Sequence, residues 1–262
     1  MDYIAEYSSD SAEEERNAPV SAKTETASCH ADSEATITTK DAGKTDVHQG
    51  RTRSFPHVEG QYATHVFLEI ALPDSERVRK TYDAFQSHLS THVDPQSRMH
   101  PIESGTRASK NRETMCLHVS LSKTVPITSV QMESLLRELK AAFRKKKRAL
   151  HLRIGGAAKV LVNEDGTRTF VALHVTDPGG MVEDMIESVS RVFIRHGLPK
   201  YYDNPDIHVS IAWCLGNSAT GRLKEALSAC STLLHRLVWN THITRVLCRI
   251  GAKDHCVWQA AA

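Results

Sequence analysis

Two short stretches of the 262-residue chain repeat one arrangement of reactive side chains: Leu117-His118-Val119-Ser120-Leu121-Ser122 and Ile207-His208-Val209-Ser210-Ile211-Ala212. In an extended strand the side chains alternate between faces, so each His shares a face with the Ser two residues on. The Val and the Leu or Ile between them turn the other way, toward a core. Two such strands facing one cleft would present two imidazoles and two hydroxyls to a single ligand. Imidazoles serve as general base and general acid, and hydroxyls hold the oxygens of an anion. That combination outlines a site for cleaving a phosphodiester.

The chain holds 15 His, so His-apolar-Ser/Thr tripeptides arise by chance, and two more are present: His174-Val175-Thr176 and His242-Ile243-Thr244. The copies at 118 and 208 differ in having apolar residues on both flanks within an extended run. The copy at 174 runs into Asp177-Pro178-Gly179-Gly180, a turn signal that puts its Thr at a strand end. The copy at 242 is followed by Arg245. Spacing alone balances a paired site against four unrelated surface or internally satisfied histidines.

Strands and helices alternate along the region that must position these residues. A strand is expected at 64–72, then a helix opened by Pro73-Asp74-Ser75 and running to about 89. A polar stretch with Pro95, Pro101 and Gly105 reads as a long loop, followed by the first His strand at 115–122. A helix over about 128–147 gathers Val130, Leu135, Leu139 and Ala142 near one face. Strands at about 151–162 and 167–176 join at Asn163-Glu164-Asp165-Gly166, a hairpin signal. A helix at 181–195 stops at Gly197, and the second His strand spans 206–214. A helix over about 221–237 and closing strands at 241–250 and 254–258 complete the order. The pattern implies two related halves, each supplying one His strand to a shared axis.

Composition divides the chain. Residues 1–50 hold eleven acidic, four basic and twelve Ser or Thr residues, with no sustained apolar period. Such a segment buries too little apolar surface to offset its ordering entropy, and is expected to be a disordered acidic tail. The tail carries −7 of a whole-chain charge of +2, leaving +9 on residues 51–262. A basic body suits a polyanionic partner, as it also suits a solvated surface. The N-terminus has no apolar signal core, and no stretch approaches the roughly 20 apolar residues that span a bilayer. The six cysteines, at 29, 116, 214, 230, 248 and 256, show no zinc spacing. Cys116 and Cys214 sit in apolar runs and are expected to pack as small hydrophobes. No Gly-rich phosphate loop followed by Lys-Ser/Thr is present, which argues against a nucleoside-triphosphate engine.

Tyr201-Tyr202-Asp203-Asn204-Pro205 leads into the second motif and offers an aromatic face to a nucleobase, or ordinary packing at a strand entrance. The run Arg144-Lys145-Lys146-Lys147-Arg148 reads as a nuclear-localisation or RNA-backbone patch, or as a solvated helix end whose cations complement the dipole.

Five stretches resemble the two-histidine phosphoesterase superfamily, and more closely the RNA 3′-end phosphodiesterases that trim U6 small nuclear RNA. They are Arg53-Ser54-Phe55-Pro56-His57 with Ala63-Thr64-His65-Val66; His118 to Ser122; Thr167-Arg168-Thr169-Phe170; Tyr202 through Ala212-Trp213-Cys214; and the closing strand at 241–250. The resemblance covers about 51–258 and none of the tail. It implies an α+β fold: two pseudo-symmetric lobes of antiparallel sheet with outer helices around a central, positively charged cleft. It implies a monomeric nuclear enzyme that needs no metal or cofactor, and that removes nucleotides, chiefly uridines, 3′ to 5′ from a single-stranded RNA end. His118 and His208 would be the catalytic pair, as proton acceptor and donor. Ser120 and Ser210, with Ser122, would bind substrate, and Tyr202 would stack on a base. The product would carry a 2′,3′-cyclic phosphate. Glu164 in the hairpin and Lys123 after the first motif depart from the family pattern. Two alternatives stand beside this: a cyclic phosphodiesterase or RNA-ligase-like member of the superfamily, and a basic cleft that binds RNA without chemistry.

Overall fold

The computed structural model describes Gly50 and residues 55–56, 58–93, 98–102, 116–146 and 148–260. Apart from Gly50, the expected acidic tail lies outside these residues, as does most of the long polar loop.

The chain begins with β1 (Gln61–Ala71), whose Val66, Leu68 and Ile70 enter the core while His65, Phe67 and Glu69 take the other face. Helix α1 (Glu76–Thr91) buries Val78, Tyr82, Phe85 and Leu89, an i, i+3, i+4 stripe. The short β2 (His100–Pro101) precedes β3 (Cys116–Ser120) and β4 (Val125–Thr128). Neither β2 nor β4 was expected. Each carries a proline, which lowers strand propensity but is tolerated at a sheet edge. Pro126 stands opposite Ala63 of β1, and Pro101 opposite Ala212.

Helix α2 (Ser129–Phe143) buries Leu135, Leu139 and Phe143, and opens where the Thr128 N–H donates to Gln131 Oε1 at 2.9 Å. The hairpin β5 (Leu150–Val162) and β6 (Arg168–Thr176) follows as expected. Its first strand bulges after Ile154. There Gly155, at φ +93°, passes so close to the Leu237 carbonyl that a Cβ would overlap it. Helix α3 (Met181–Arg195) has the expected bounds, with Asp177 Oδ2 accepting from the Val182 N–H at 2.6 Å. Strand β7 (His208–Leu215) starts two residues later than expected.

Two expectations are corrected. The single helix expected over 221–237 is α4 (Thr220–Ala229) and α5 (Ser231–Arg236), broken at the buried Cys230 without Gly or Pro to announce it. The single strand expected over 241–250 is two: β8 (Val238–Ile243) and β9 (Arg245–Ile250), separated by Thr244 alone. They belong to different sheets. No turn residue interrupts the run because the chain changes sheets without reversing. Strand β10 (Lys253–Gln259) ends the order.

The first sheet runs β10-β9-β1-β3, with β4 also paired to β1, and the second runs β2-β7-β6-β5-β8; every pairing is antiparallel. Each sheet holds one His-x-Ser strand, and β3 and β7 lie against each other between the sheets. The fold is α+β, two antiparallel lobes with helices packed behind them, as expected. The lobes do not coincide with halves of the chain: α1 packs against α4 and α5, β2 joins the second sheet, and β9 and β10 return to the first. Among the described residues no helix is long and apolar enough to cross a membrane.

Candidate active site

On β3, Leu117 and Val119 are buried while His118 and Ser120 are half-buried on the opposite face. Ser120 stands opposite Phe67 of β1 and His118 opposite Glu69. On β7, Val209 and Ile211 are buried and His208 and Ser210 are half-buried. Ser210 stands opposite Ala172 of β6, and His208 opposite His174. A bulge follows Ser210, where the strand register skips Ile211. The Ile211 carbonyl accepts from the Ile102 N–H and from Gln86 Nε2, each at 2.9 Å. The second motif is thus fastened from behind by β2 and α1, a use of bulges common beside functional sites.

Because β3 and β7 touch, the two imidazoles share one electrostatic environment. Burial pushes the His118 ring down to about 4, with the Arg249 guanidinium and then His208 adding to the effect. Burial also lowers His208, but the Asp206 carbonyl opposes it. That carbonyl accepts from His208 Nδ1 at 2.6 Å, which fixes the tautomer and leaves Nε2 as the nitrogen not engaged by Asp206. Asp206 also pairs through its carboxylate with Lys159, whose ammonium lowers His208 further. Both rings are therefore held toward the neutral form. An incoming phosphodiester carries a negative charge, which raises both and most readily protonates the less depressed His208.

His65 was not anticipated as a site residue. Its Nε2 lies 3.1 Å from Ser120 Oγ, and its ring meets His118 edge-on at 5.4 Å between centroids. The signal available in the sequence was its place in the Ala63-Thr64-His65-Val66 stretch that carries part of the resemblance.

Tyr202 is 46% exposed, whereas Tyr201 is partly buried and touches it edge-on at 4.9 Å. The Lys123 ammonium sits 4.3 Å from the Tyr202 ring centroid and pairs with Glu164 at 2.6 Å. Lys123 follows β3 of the first sheet and Glu164 turns the hairpin of the second, so this pair ties the two lobes beside Tyr202. Burial and the Glu164 carboxylate raise the Tyr202 phenol.

Ser122 is placed differently from the other candidates. It is 2% exposed, and its hydroxyl accepts from the Val66 N–H and donates to the Lys123 carbonyl, both at 2.9 Å. It braces the end of the motif strand and does not face the cleft. Its substrate-binding role had come from the resemblance; β3 ends at Ser120, and Ser122 lies beyond the strand.

The rival copies separate. His242 is exposed and meets His151 at 4.1 Å on the far edge of the second sheet. His174 lies beside His208, and its Thr176 closes β6 as the turn signal implied. Cys116 and Cys214 are buried, and burial raises both thiols. The Arg144 end of the basic run caps α2, where Lys140, Arg144 and Lys146 line a shallow pocket beside Trp258. Among the described residues no group of three or more His, Cys, Asp or Glu is arranged to hold a metal ion.

Relatives match this chain along most of its length. Human U6 snRNA phosphodiesterase 1 is 26% identical over 211 residues, which cover 79% of this chain and 72% of the relative. The protein of the same name from Drosophila melanogaster is 31% identical over 195 residues, covering 71% and 65%. A structure of Kluyveromyces marxianus Usb1 with uridine monophosphate shares the fold at a TM-score of 0.54 and 17% identity, covering 75% of this chain and 97% of that one. The HVSL family, described as an uncharacterised conserved protein, matches residues 26–257, a span that contains both motif strands and every strand of the two sheets but the end of β10; the chain belongs to that family.

Proposed function

We propose that this protein is an RNA phosphodiesterase that trims the oligouridine 3′ end of U6 small nuclear RNA, nucleotide by nucleotide, without a metal ion. The observation that carries the reading is the meeting of two His-x-Ser strands from different sheets, with the imidazoles in one another's field. The relatives named as U6 snRNA phosphodiesterases support the choice of RNA.

In this reaction neutral His118 accepts the proton of the 2′-hydroxyl, whose oxygen attacks the adjacent phosphorus. The P–O5′ bond breaks, and protonated His208 donates to the departing 5′-oxygen through Nε2. The RNA keeps the phosphorus as a 2′,3′-cyclic phosphate, and the terminal residue leaves with a 5′-hydroxyl, as a nucleoside when the RNA ends in a 3′-hydroxyl. Ser120 and Ser210 donate to the non-bridging oxygens, where charge accumulates. Tyr202 offers its ring to a nucleobase. The protein acts as a monomer in the nucleus, where trimmed U6 RNA supports splicing. Residues 1–50 form an acidic tail that limits indiscriminate RNA binding by the basic body.

Purified protein incubated with oligouridine RNA and EDTA tests the reading. Stepwise shortening with cyclic-phosphate ends is the expected result. Conversion of cyclic ends without shortening would assign a cyclic phosphodiesterase instead, and unchanged RNA would leave only a binding cleft.

A further inference from the structure

Nothing in the chemistry above uses His65, although it touches Ser120 and His118 of the first motif. Its ring stacks on Phe67 at 5.3 Å between centroids and 22° between planes. Phe67 lies beneath the Arg249 guanidinium at 5.2 Å, and Asp254 clamps Arg249 through two hydrogen bonds of 2.7 and 2.9 Å. His118 packs edge-on against both His65 and Phe67, at 5.4 and 5.6 Å. The imidazole is thus held by a layered stack with its Nε2 3.1 Å from Ser120 Oγ.

A serine hydroxyl has one proton to donate and two lone pairs. Were that proton given to His65, only lone pairs would face an anion, and oxygen would oppose oxygen. When Nε2 carries a proton and donates it to Oγ, the serine proton is released for the phosphoryl group.

We infer that His65 is a positioning residue for the phosphodiesterase reaction: its Nε2–H donates to Ser120 Oγ and turns the serine proton toward a non-bridging oxygen of the bound diester. The inference rests on the RNA-cleaving function proposed for this site. His65 gives up no proton during turnover. Burial, His118 and Arg249 push its ring down to about 3, so it stays a neutral one-donor, one-acceptor group across the working range.

The test compares wild type with His65→Ala, His65→Phe, His65→Gln, Ser120→Ala and the double variant His65→Ala/Ser120→Ala on oligouridine RNA. Gln keeps an N–H donor of similar reach, while Phe keeps the stacked ring without the donor. Losing the hydrogen bond should lower kcat about tenfold in the Ala and Phe variants, with KM nearly unchanged. Gln should recover most of the loss. The double variant should be no slower than Ser120→Ala alone, and the limbs of the pH profile should not move. If His65→Ala does not fold, the Phe and Gln pair carries the same comparison. Wild-type rates in both Ala and Phe variants would overturn the inference. So would a double variant slower than Ser120→Ala by the full His65→Ala factor, because His65 would then act without the serine. If wild type itself leaves the RNA intact, the functional reading fails and this inference with it; if wild type cleaves and the variants match it, only the inference fails.

Discussion

The two motif strands share a sequence pattern and little else. The first is set among rings and a clamped cation: His65 and Phe67 pack against His118, and Arg249 lies over Phe67. The second has a backbone carbonyl on one ring nitrogen, the Lys159–Asp206 pair beside it, and exposed Tyr202 and His174 nearby. Burial and a neighbouring guanidinium favour a neutral imidazole, as a proton acceptor requires. A carbonyl on Nδ1 favours the protonated ring, as a donor requires. The pattern supplies two equivalent histidines, and their neighbours make them unequal in the direction the proposed reaction needs.

The largest effect expected from breaking this comparison comes from removing either ring. His118→Ala or His208→Ala should lower trimming by about 10²- to 10⁴-fold while RNA binding remains measurable by filter retention; full activity in either would sink the assignment. Removing the serines should cost less, about 10²-fold each, by analogy with the loss of one donor to a developing oxyanion.

A smaller and more diagnostic effect is in pH. The free enzyme needs His118 neutral and His208 protonated, so kcat/KM should hold down toward pH 4 and fall with rising pH before 6.5 is reached. Arg249→Met removes a cation that depresses His118, and should move the acid limb upward while leaving the alkaline limb in place. Equal movement of both limbs would deny the inequality of the two halves. Stability follows the same sign. His65 and His118 have folded-state values below their unfolded ones, so the unfolded chain binds more protons between about 3 and 6.5. Their neutral burial is fully tolerated above 6.5, and stability should decline as pH falls through that window, read as a dropping Tm.

The smallest effect concerns the tie between the lobes. Glu164→Gln releases Lys123 from its partner and removes a negative charge beside the Tyr202 ring. An exposed pair of this kind contributes about 0.2–1 kcal/mol, so RNA affinity should rise only a few-fold, measured as KM at low salt. A weaker affinity would mean that the carboxylate itself contacts the RNA.

The shared face of His118 with Ser120 and of His208 with Ser210 was legible because period-two alternation needs no tertiary information. Helix α3 was legible because its bounds are set locally, with Gly197 as a stop. Ser122 was named through the resemblance, and its buried hydrogen bond to the Val66 N–H depends on how β3 lies against β1. His65 was missed because its role depends on which strand pairs with β3, and register between distant strands is a property of the whole fold. The β8–β9 passage was hidden for the same reason: the pattern that predicts a strand says nothing of which sheet receives it. Cys230 breaks a helix with no local signal, so that break too was beyond a local reading.

The one-residue step at Thr244 has a consequence for synthesis. β1 is an inner strand of its sheet, yet its neighbour β9 follows every strand of the second sheet along the chain. During synthesis β1 therefore waits half-paired, with β3 and β4 on one side only, until β9 has emerged, 178 residues later in the register of Leu68 with Val246. Such late, distant pairings slow folding and leave a strand edge open to wrong partners in the meantime. The arrangement that brings the two motifs together also makes the integrity of β1 depend on the distant strand β9.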